Sequence, residues 1–239
     1  MPQTKDSSQP PFLAIEMSQR LGSIALSSSG IIDSIEFECG GRQDDLLLPS
    51  IDELLSRHGV RPAALGGIAV SIGPGGFTGL RIAVATAKGI AEVTGCSLHA
   101  VPSGHVASES ITPRPDSGVR VVVLSAAKQG TCWITSLECE PDCWRELPGT
   151  GIRPVDPPTD EVISMCRGAI VLMDEHVPEG FRNAVEGIAS SVLTPTHRAD
   201  ACLRLGVHMA GCGDAIDPLE LLPLYPREPE AVRIWRTRD

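Results

Sequence analysis

A glycine-rich loop between two contrasting segments most constrains the fold of this chain. Residues 71–81 read SIGPGGFTGLR; they follow an apolar run over 65–72 and precede an Ala-rich stretch with helical periodicity. A buried strand, a tight glycine turn and a helix in succession are typical of an α/β layer. Two readings of the loop are open: it holds an anion at the helix N-terminus, or its glycines let the helix pack closely on a sheet.

Neither phosphate-binding motif fits the loop. A Walker loop that starts at Gly73 requires Gly at position 78 and Lys at position 79, where this chain has Thr78 and Gly79. The dinucleotide fingerprint matches Gly73 and Gly75 but also needs glycine at position 78. On motifs alone, both readings of the loop remain open.

Two helices of the first half carry broad apolar surfaces. The second helix is predicted from a Thr78 N-cap to residue 93, with Gly95 as its C-cap, and the first over about 44–58. The apolar arc of the second helix is wider than a surface helix needs, which favours a second cover besides its own sheet. That cover is either a partner protein or another layer of the same chain. The surface residues concerned are Leu47, Leu48, Ile51, Leu54 and Leu55 on the first helix and Gly79, Leu80, Ala83, Val84, Ala87, Ile90 and Ala91 on the second.

Composition restricts the possible functions. The 239 residues carry a net charge of −10, which disfavours nucleic-acid binding by the chain alone. The tail does place Arg227, Arg233, Arg236 and Arg238 around Trp235, yet acidic residues dilute this cluster. The eight cysteines form no C-x-x-C pair, and neither Cys139 with Cys143 nor His208 with Cys212 predicts a metal site. No apolar run reaches membrane-span length, and no secretion signal is evident, so we expect a cytoplasmic protein.

The order of elements predicts an α/β protein of two lobes. Three short strands over 12–38 read as a meander, and further strands are expected at 65–72 and 96–101. A Pro- and Gly-rich loop at 112–118 marks the boundary. Strands are then expected at 119–125, 133–137 and 169–173, with helices at 160–166 and 199–210. We therefore predict a disordered N-terminus over 1–11, a first lobe over 12–110 and a second lobe with a tail over 111–239.

Four stretches resemble the TsaB family, also called YeaZ. These stretches are FLAIEMSQRLGSIAL (12–26), LLLPSIDELL (46–55), GPGGFTGLRIAVATAKGIA (73–91) and PLYPREPEA (223–231). The resemblance implies an actin-like, RNase H-type fold with mixed sheets flanked by helices. It also implies a non-catalytic subunit that pairs with TsaD, the subunit that transfers a threonylcarbamoyl group to adenosine in tRNA.

The resemblance also implies partners and cofactors. TsaB pairs with TsaD through its first two helices, and TsaE, an ATPase, joins the pair; ATP and metal belong to those partners, and tRNA is bound only through the complex. The apolar residues given above would form the joint surface. The same exposed helices would let the chain form a homodimer when the partner is absent. The loop would set the start of the binding helix and shape the edge of the dimer through Gly73, Pro74, Gly75, Gly76, Phe77, Thr78 and Arg81.

The chain departs from the family pattern at carboxylates. Glu16-Met17-Ser18 stands where the family has Asp-Thr-Ser, Arg42-Gln43-Asp44 where it commonly has His-Ser, and Ala126-Ala127 where it has an Asp. These changes disfavour ATP hydrolysis by the chain itself and predict no catalytic residue and no metal ligand. The alternative is a stand-alone enzyme, either an ATP-dependent phosphotransferase or a protease-like protein.

Overall fold

The first half of the chain folds around a five-stranded mixed sheet. The computed structural model describes residues 9–38, 46–127, 129–225 and 235. The strand order is β3-β2-β1-β4-β5: β1, β2 and β3 are antiparallel, whereas β1, β4 and β5 run parallel. The elements of this lobe are β1 (Phe12–Glu16), β2 (Leu21–Ser28), β3 (Ile31–Glu38), α1 (Leu47–Arg57), β4 (Gly67–Gly73), α2 (Phe77–Thr94), β5 (Ser97–Pro102) and α3 (Ser103–Glu109).

The second half repeats the same strand scheme. A hairpin, β6 with β7, is extended on one side by parallel strands β10 and β11 and on the other by antiparallel pairings of β7 with β8 and β9. The elements are β6 (Arg120–Ala126), β7 (Thr131–Cys139), β8 (Trp144–Glu146), β9 (Gly151–Pro154), α4 (Asp160–Cys166), β10 (Ile170–Met173), α5 (Glu179–Glu186), β11 (Ser191–Leu193) and α6 (Ala199–Gly211). The predicted α/β architecture in two lobes is confirmed.

Alternating residues of the strands divide the molecule into five layers. In β1, Leu13 and Ile15 pack against α1 and α2, whereas Phe12 and Ala14 pack against α6 on the opposite face. In β6, alternate valines likewise face α3 on one side and α4 with α5 on the other. From one side of the molecule to the other, the layers are the helix pair α1 and α2, the first sheet, the helix pair α6 and α3, the second sheet, and the helix pair α4 and α5.

The C-terminal part of the chain returns to the first lobe. Helix α6 packs on β1, β2, β4 and β5 of the first sheet. Beyond it, the Ile216 amide donates to the Leu98 carbonyl at 2.9 Å, and Leu221 is buried in the core beneath α2. The assignment of residues 111–239 to the second lobe was therefore wrong for 199–225, because α6 supplies the cover that the second face of the first sheet needs.

Candidate functional site

The glycine loop packs against the turn that follows β1. A methyl group on Gly75 would lie 2.3 Å from the Ser18 carbonyl oxygen, and one on Gly79 would lie 2.4 Å from the Met17 carbonyl oxygen. The Gly76 amide donates to the Ser18 carbonyl at 2.7 Å. Since real Cβ atoms do not come that close to backbone, these glycines allow the start of α2 to approach the neighbouring turn.

The Arg81 side chain at the start of α2 already has partners within the chain. The Arg81 guanidinium lies 3.7 Å from the centre of the Phe77 ring and donates to the Tyr225 hydroxyl at 2.8 Å. The Phe77 and Tyr225 rings are themselves 5.2 Å apart. Helix α2 begins at Phe77 with Gly76 as its N-cap, so the predicted Thr78 cap was wrong, whereas the Gly95 C-cap in the left-handed conformation is confirmed. These contacts support the close-packing reading of the loop.

Most of the apolar residues expected at a partner surface are buried by the chain itself. Their side chains fill the core between the two helices and the first sheet. Nine of the twelve are buried in this way: Leu47, Ile51, Leu54, Leu55, Leu80, Ala83, Val84, Ala87 and Ala91. Of the other three, Leu48 is 61% exposed, while Gly79 and Ile90 are half-buried. The prediction that these nine residues lie at a partner surface was wrong, because the most apolar stripe of each helix faces the first sheet.

A second face of α2 remains uncovered by the described residues. Ala85, Gly89 and Val93 are exposed, Ile82 beside them is half-buried, and the four share one side of the helix at spacings of three and four residues. We call these four residues the outer face of α2. It lies roughly 150° around the helix from the buried stripe of Ala83, Ala87 and Ala91, at 3.6 residues per turn.

The outer face consists of apolar residues, and two of the four, Ala85 and Gly89, are small. A methyl group on Gly89 would meet nothing within 4 Å, and Val93 is 87% exposed. Near the beginning of α1, Leu46 and Leu48 are also exposed, on the same side of the first sheet. Small side chains on a helix let a second helix approach closely, so this face can receive one.

The C-terminal segment borders α2 beside this face. The Leu224 amide donates to the Ile72 carbonyl at 2.7 Å, and the Lys88 ammonium donates to the Leu221 carbonyl at 3.2 Å. The polar side of α2 is thus held by the chain's own tail as far as Tyr225. The arginines of the tail, and residues 42–44, lie outside the described residues.

The end of β1 carries a buried carboxylate. Glu16 is fully buried at the end of β1, where one carboxylate oxygen accepts a hydrogen bond from the Ser18 amide at 2.6 Å. The other oxygen has no hydrogen-bond partner among the residues that the structure describes. Burial lowers the pKa of His197, although the charges of Glu16 and Asp174 oppose this. Within the described ranges, no three His, Cys, Asp or Glu side chains are placed to hold a metal ion.

His208 and Cys212 contact each other, and the described part of the chain brings no third metal ligand to them. The Cys212 sulfur lies 3.8 Å from Nε2 of His208 across one helical turn at the end of α6.

Among the helices of the described residues, none combines the length and the apolarity that crossing a membrane requires.

Comparison with known proteins gives a consistent set of sequence similarities. The family model described as TsaD, tRNA N6-adenosine threonylcarbamoyltransferase, matches residues 43–140. The chain is 39% identical over 79 residues to the tRNA threonylcarbamoyladenosine biosynthesis protein TsaB of Buchnera aphidicola, covering 33% of this chain and 36% of the relative. It is 30% identical over 80 residues to TsaB of Escherichia coli, covering 34% and 35%. The chain thus spans about a third of the length of these curated relatives.

Solved structures match over nearly the whole chain. A Pseudomonas aeruginosa protein described as similar to peptidase YEAZ superimposes with a TM-score of 0.79 at 20% identity, covering 92% of this chain and all of the other. YeaZ from the same organism gives 0.75 at 20% identity, covering 91% and 100%. At this identity the likeness shows the fold, and the expected actin-like fold of two lobes is confirmed.

Proposed function

We propose that the chain is a member of the TsaB/YeaZ family and that it is a non-catalytic subunit that pairs with a TsaD-like transferase. Its relatives are named for the biosynthesis of threonylcarbamoyladenosine in tRNA, and the family model that matches residues 43–140 is that of the transferase. The matched region includes both α1 and α2. The subunit would act by holding the transferase in its working form in the cytoplasm.

The uncovered outer face of α2 is the observation that carries this proposal. Ala85, Gly89 and Val93 expose an apolar strip without long side chains, and Leu48 of α1 is a further exposed apolar residue on that side of the lobe. A helix of a related lobe could pack in the same way that helices pack within one chain. Burial of such a strip stabilises a complex by about 25 cal/mol for each Å² of apolar surface removed from water.

The surface that we propose therefore differs from the one that the sequence suggested. Of the residues first assigned to the interface, Leu48 is exposed, and Gly79 and Ile90 are half-buried. The nine buried residues hold the two helices against the first sheet. The glycine loop contributes indirectly. Its close packing on the turn after β1 sets the position from which α2 starts, and Phe77, 51% exposed, stands at the edge of the surface.

The chemistry of the transfer is assigned to the partners. Glu16 replaces the family's aspartate at the end of β1, and one of its oxygens is engaged by the Ser18 amide. We accordingly expect ATP and metal to be bound by the TsaD-like subunit and by a TsaE-like ATPase, with tRNA bound only by the complex. Without its partner, the chain would use the same outer face to form a homodimer.

Co-purification of two charge variants tests the pairing. Ala85→Glu places a carboxylate on the exposed outer face, where it leaves the fold intact but must lose its water when a partner helix packs there. Asn183→Glu adds the same charge to an exposed position of α5 in the second lobe. We expect the TsaD-like protein of the same organism to co-purify with wild type and Asn183→Glu but not with Ala85→Glu. Equal recovery with all three would contradict the proposed surface.

A further inference from the structure

A single carboxylate, Glu109, ties together three separate parts of the chain. It stands at the end of α3, and its side chain is only 11% exposed. One oxygen accepts Nε of Arg204 at 2.8 Å. The other accepts the indole N–H of Trp144 at 2.9 Å and also a guanidinium N–H of Arg114. Both carboxylate oxygens are thus hydrogen-bonded by charged or aromatic donors.

The three donors come from different elements. Arg204 belongs to α6, which packs on the first sheet, and Trp144 belongs to β8 of the second sheet. Arg114 lies in the connection between the lobes, where its guanidinium stacks 4.8 Å from the Trp144 ring centre and donates to the Cys143 carbonyl at 3.0 Å. Glu109 therefore links first lobe, connection and second lobe at one point.

The apolar layer beside this point does not by itself fix an orientation. Ala107 of α3 and Leu205 of α6 pack against Val121, Val123 and Leu172 of the second sheet. Apolar contacts of this kind resist separation, but they are non-directional. Charge-assisted hydrogen bonds to a carboxylate are short and directional, so they select one of the arrangements that the apolar layer permits.

From this arrangement we propose that Glu109 is a lock that sets the relative orientation of the two lobes. With the lock in place, the two lobes move as one body. With glutamine at position 109, the two arginines would lose the negative charge that they share, and one of the two oxygens that accept from the arginines and Trp144 would become an NH2 group. The apolar seam would then hold the lobes together while allowing them to rotate. This inference concerns the lobes of the free chain and does not depend on the proposed partner.

Residual dipolar couplings of the backbone amides in Glu109→Gln measure this orientation directly. In wild type, one alignment tensor should fit the amides of both sheets. In the variant, the two sheets should need separate tensors, and exchange of the Trp144 indole proton should accelerate by roughly tenfold or more, as expected when a hydrogen bond to a charged acceptor is lost. The control Glu161→Gln removes an exposed carboxylate of the second lobe that lies 3.6 Å from Arg153, and it should behave as wild type.

One result would overturn the proposal, and a second variant keeps it testable. If one tensor fits both sheets of folded Glu109→Gln, in their wild-type orientation, the apolar seam alone fixes the lobes and the lock does not exist. Should that variant fail to fold, Trp144→Phe removes only the indole donor and keeps most of the ring's packing. It should then show a smaller change of orientation, and an unchanged single tensor in this variant would equally refute the lock.

Discussion

The substitution Ala87→Glu separates the buried side of α2 from its outer face. Ala87 is fully buried in the core between α2 and the first sheet, so a glutamate there is both too large and without a partner. An unpaired buried charge costs about 3–5 kcal/mol, and overpacking adds about 1–3 kcal/mol. The sum approaches the whole unfolding free energy of a typical domain, about 5–15 kcal/mol. We therefore expect the variant to be unfolded, or to melt at least roughly 10 °C below wild type.

Ala85→Glu is the matched control for this prediction. It makes the same chemical change two residues earlier, at an exposed position, and Lys88 one turn further on can offset part of any cost. Its unfolding free energy should stay within about 0.5 kcal/mol of wild type. Circular dichroism during heating and urea titration would measure both variants. A folded Ala87→Glu that melts like the control would refute the placement of α2 described above.

Three further measurements test separate parts of the structure. Gly75→Ala should lower the unfolding free energy by about 1–3 kcal/mol, since its methyl collides with the turn after β1, whereas Gly89→Ala should raise it by about 0.5–1 kcal/mol. Burial raises the pKa of the Cys166 thiol to about 12, so iodoacetamide at pH 8 should label exposed Cys212 long before Cys166. Hydrogen bonds from an imidazole and, second, from a guanidinium lower the pKa of Asp33 below 3.8. The stabilisation by Asp33 should therefore be present above that pH and be lost as the pH falls through the pKa of the folded state. An NMR titration of the Asp33 carboxyl would measure that pKa.

The strand, loop and helix around the glycines were predictable because several local signals agree there. An apolar run ends at Gly73, the helix periodicity begins within the loop, and Gly95 terminates it in the left-handed conformation that favours glycine. The local sequence does not show which backbone contact requires glycine at each position of the loop. Contacts of Gly75 and Gly79 with Ser18 and Met17 join residues about sixty positions apart, and no local pattern records them.

The position of the candidate surface was not predictable from the helical wheel. Periodicity shows that α2 has a wide apolar arc, but it does not show which part of the arc faces the sheet. The stripe through Ala83 and Ala87 is the inner part, and the strip through Ala85 and Gly89 is the outer one. Alanine and glycine serve both close packing on a strand and close packing on a partner helix, so residue type alone does not separate them.

The second lobe was only partly predictable because its elements are short. Strands β8 and β11 have three residues each and β9 has four, too few to show alternation, and no pattern singled out α5. Tertiary contacts, not local sequence, decide that α6 packs on the first sheet. The apolar surface of α6 could pack on either sheet. It packs on the first sheet because the face of that sheet opposite α1 and α2 would otherwise be uncovered.

The amount of threonylcarbamoyladenosine in tRNA tests the central claim most directly. Mass spectrometry of nucleosides from cells depleted of this protein should show loss of the modification. Wild type and Asn183→Glu should restore it, whereas Ala85→Glu, although folded, should not. A normal level of threonylcarbamoyladenosine in the depleted cells would contradict the proposed function, and full restoration by Ala85→Glu would contradict the role of the outer face.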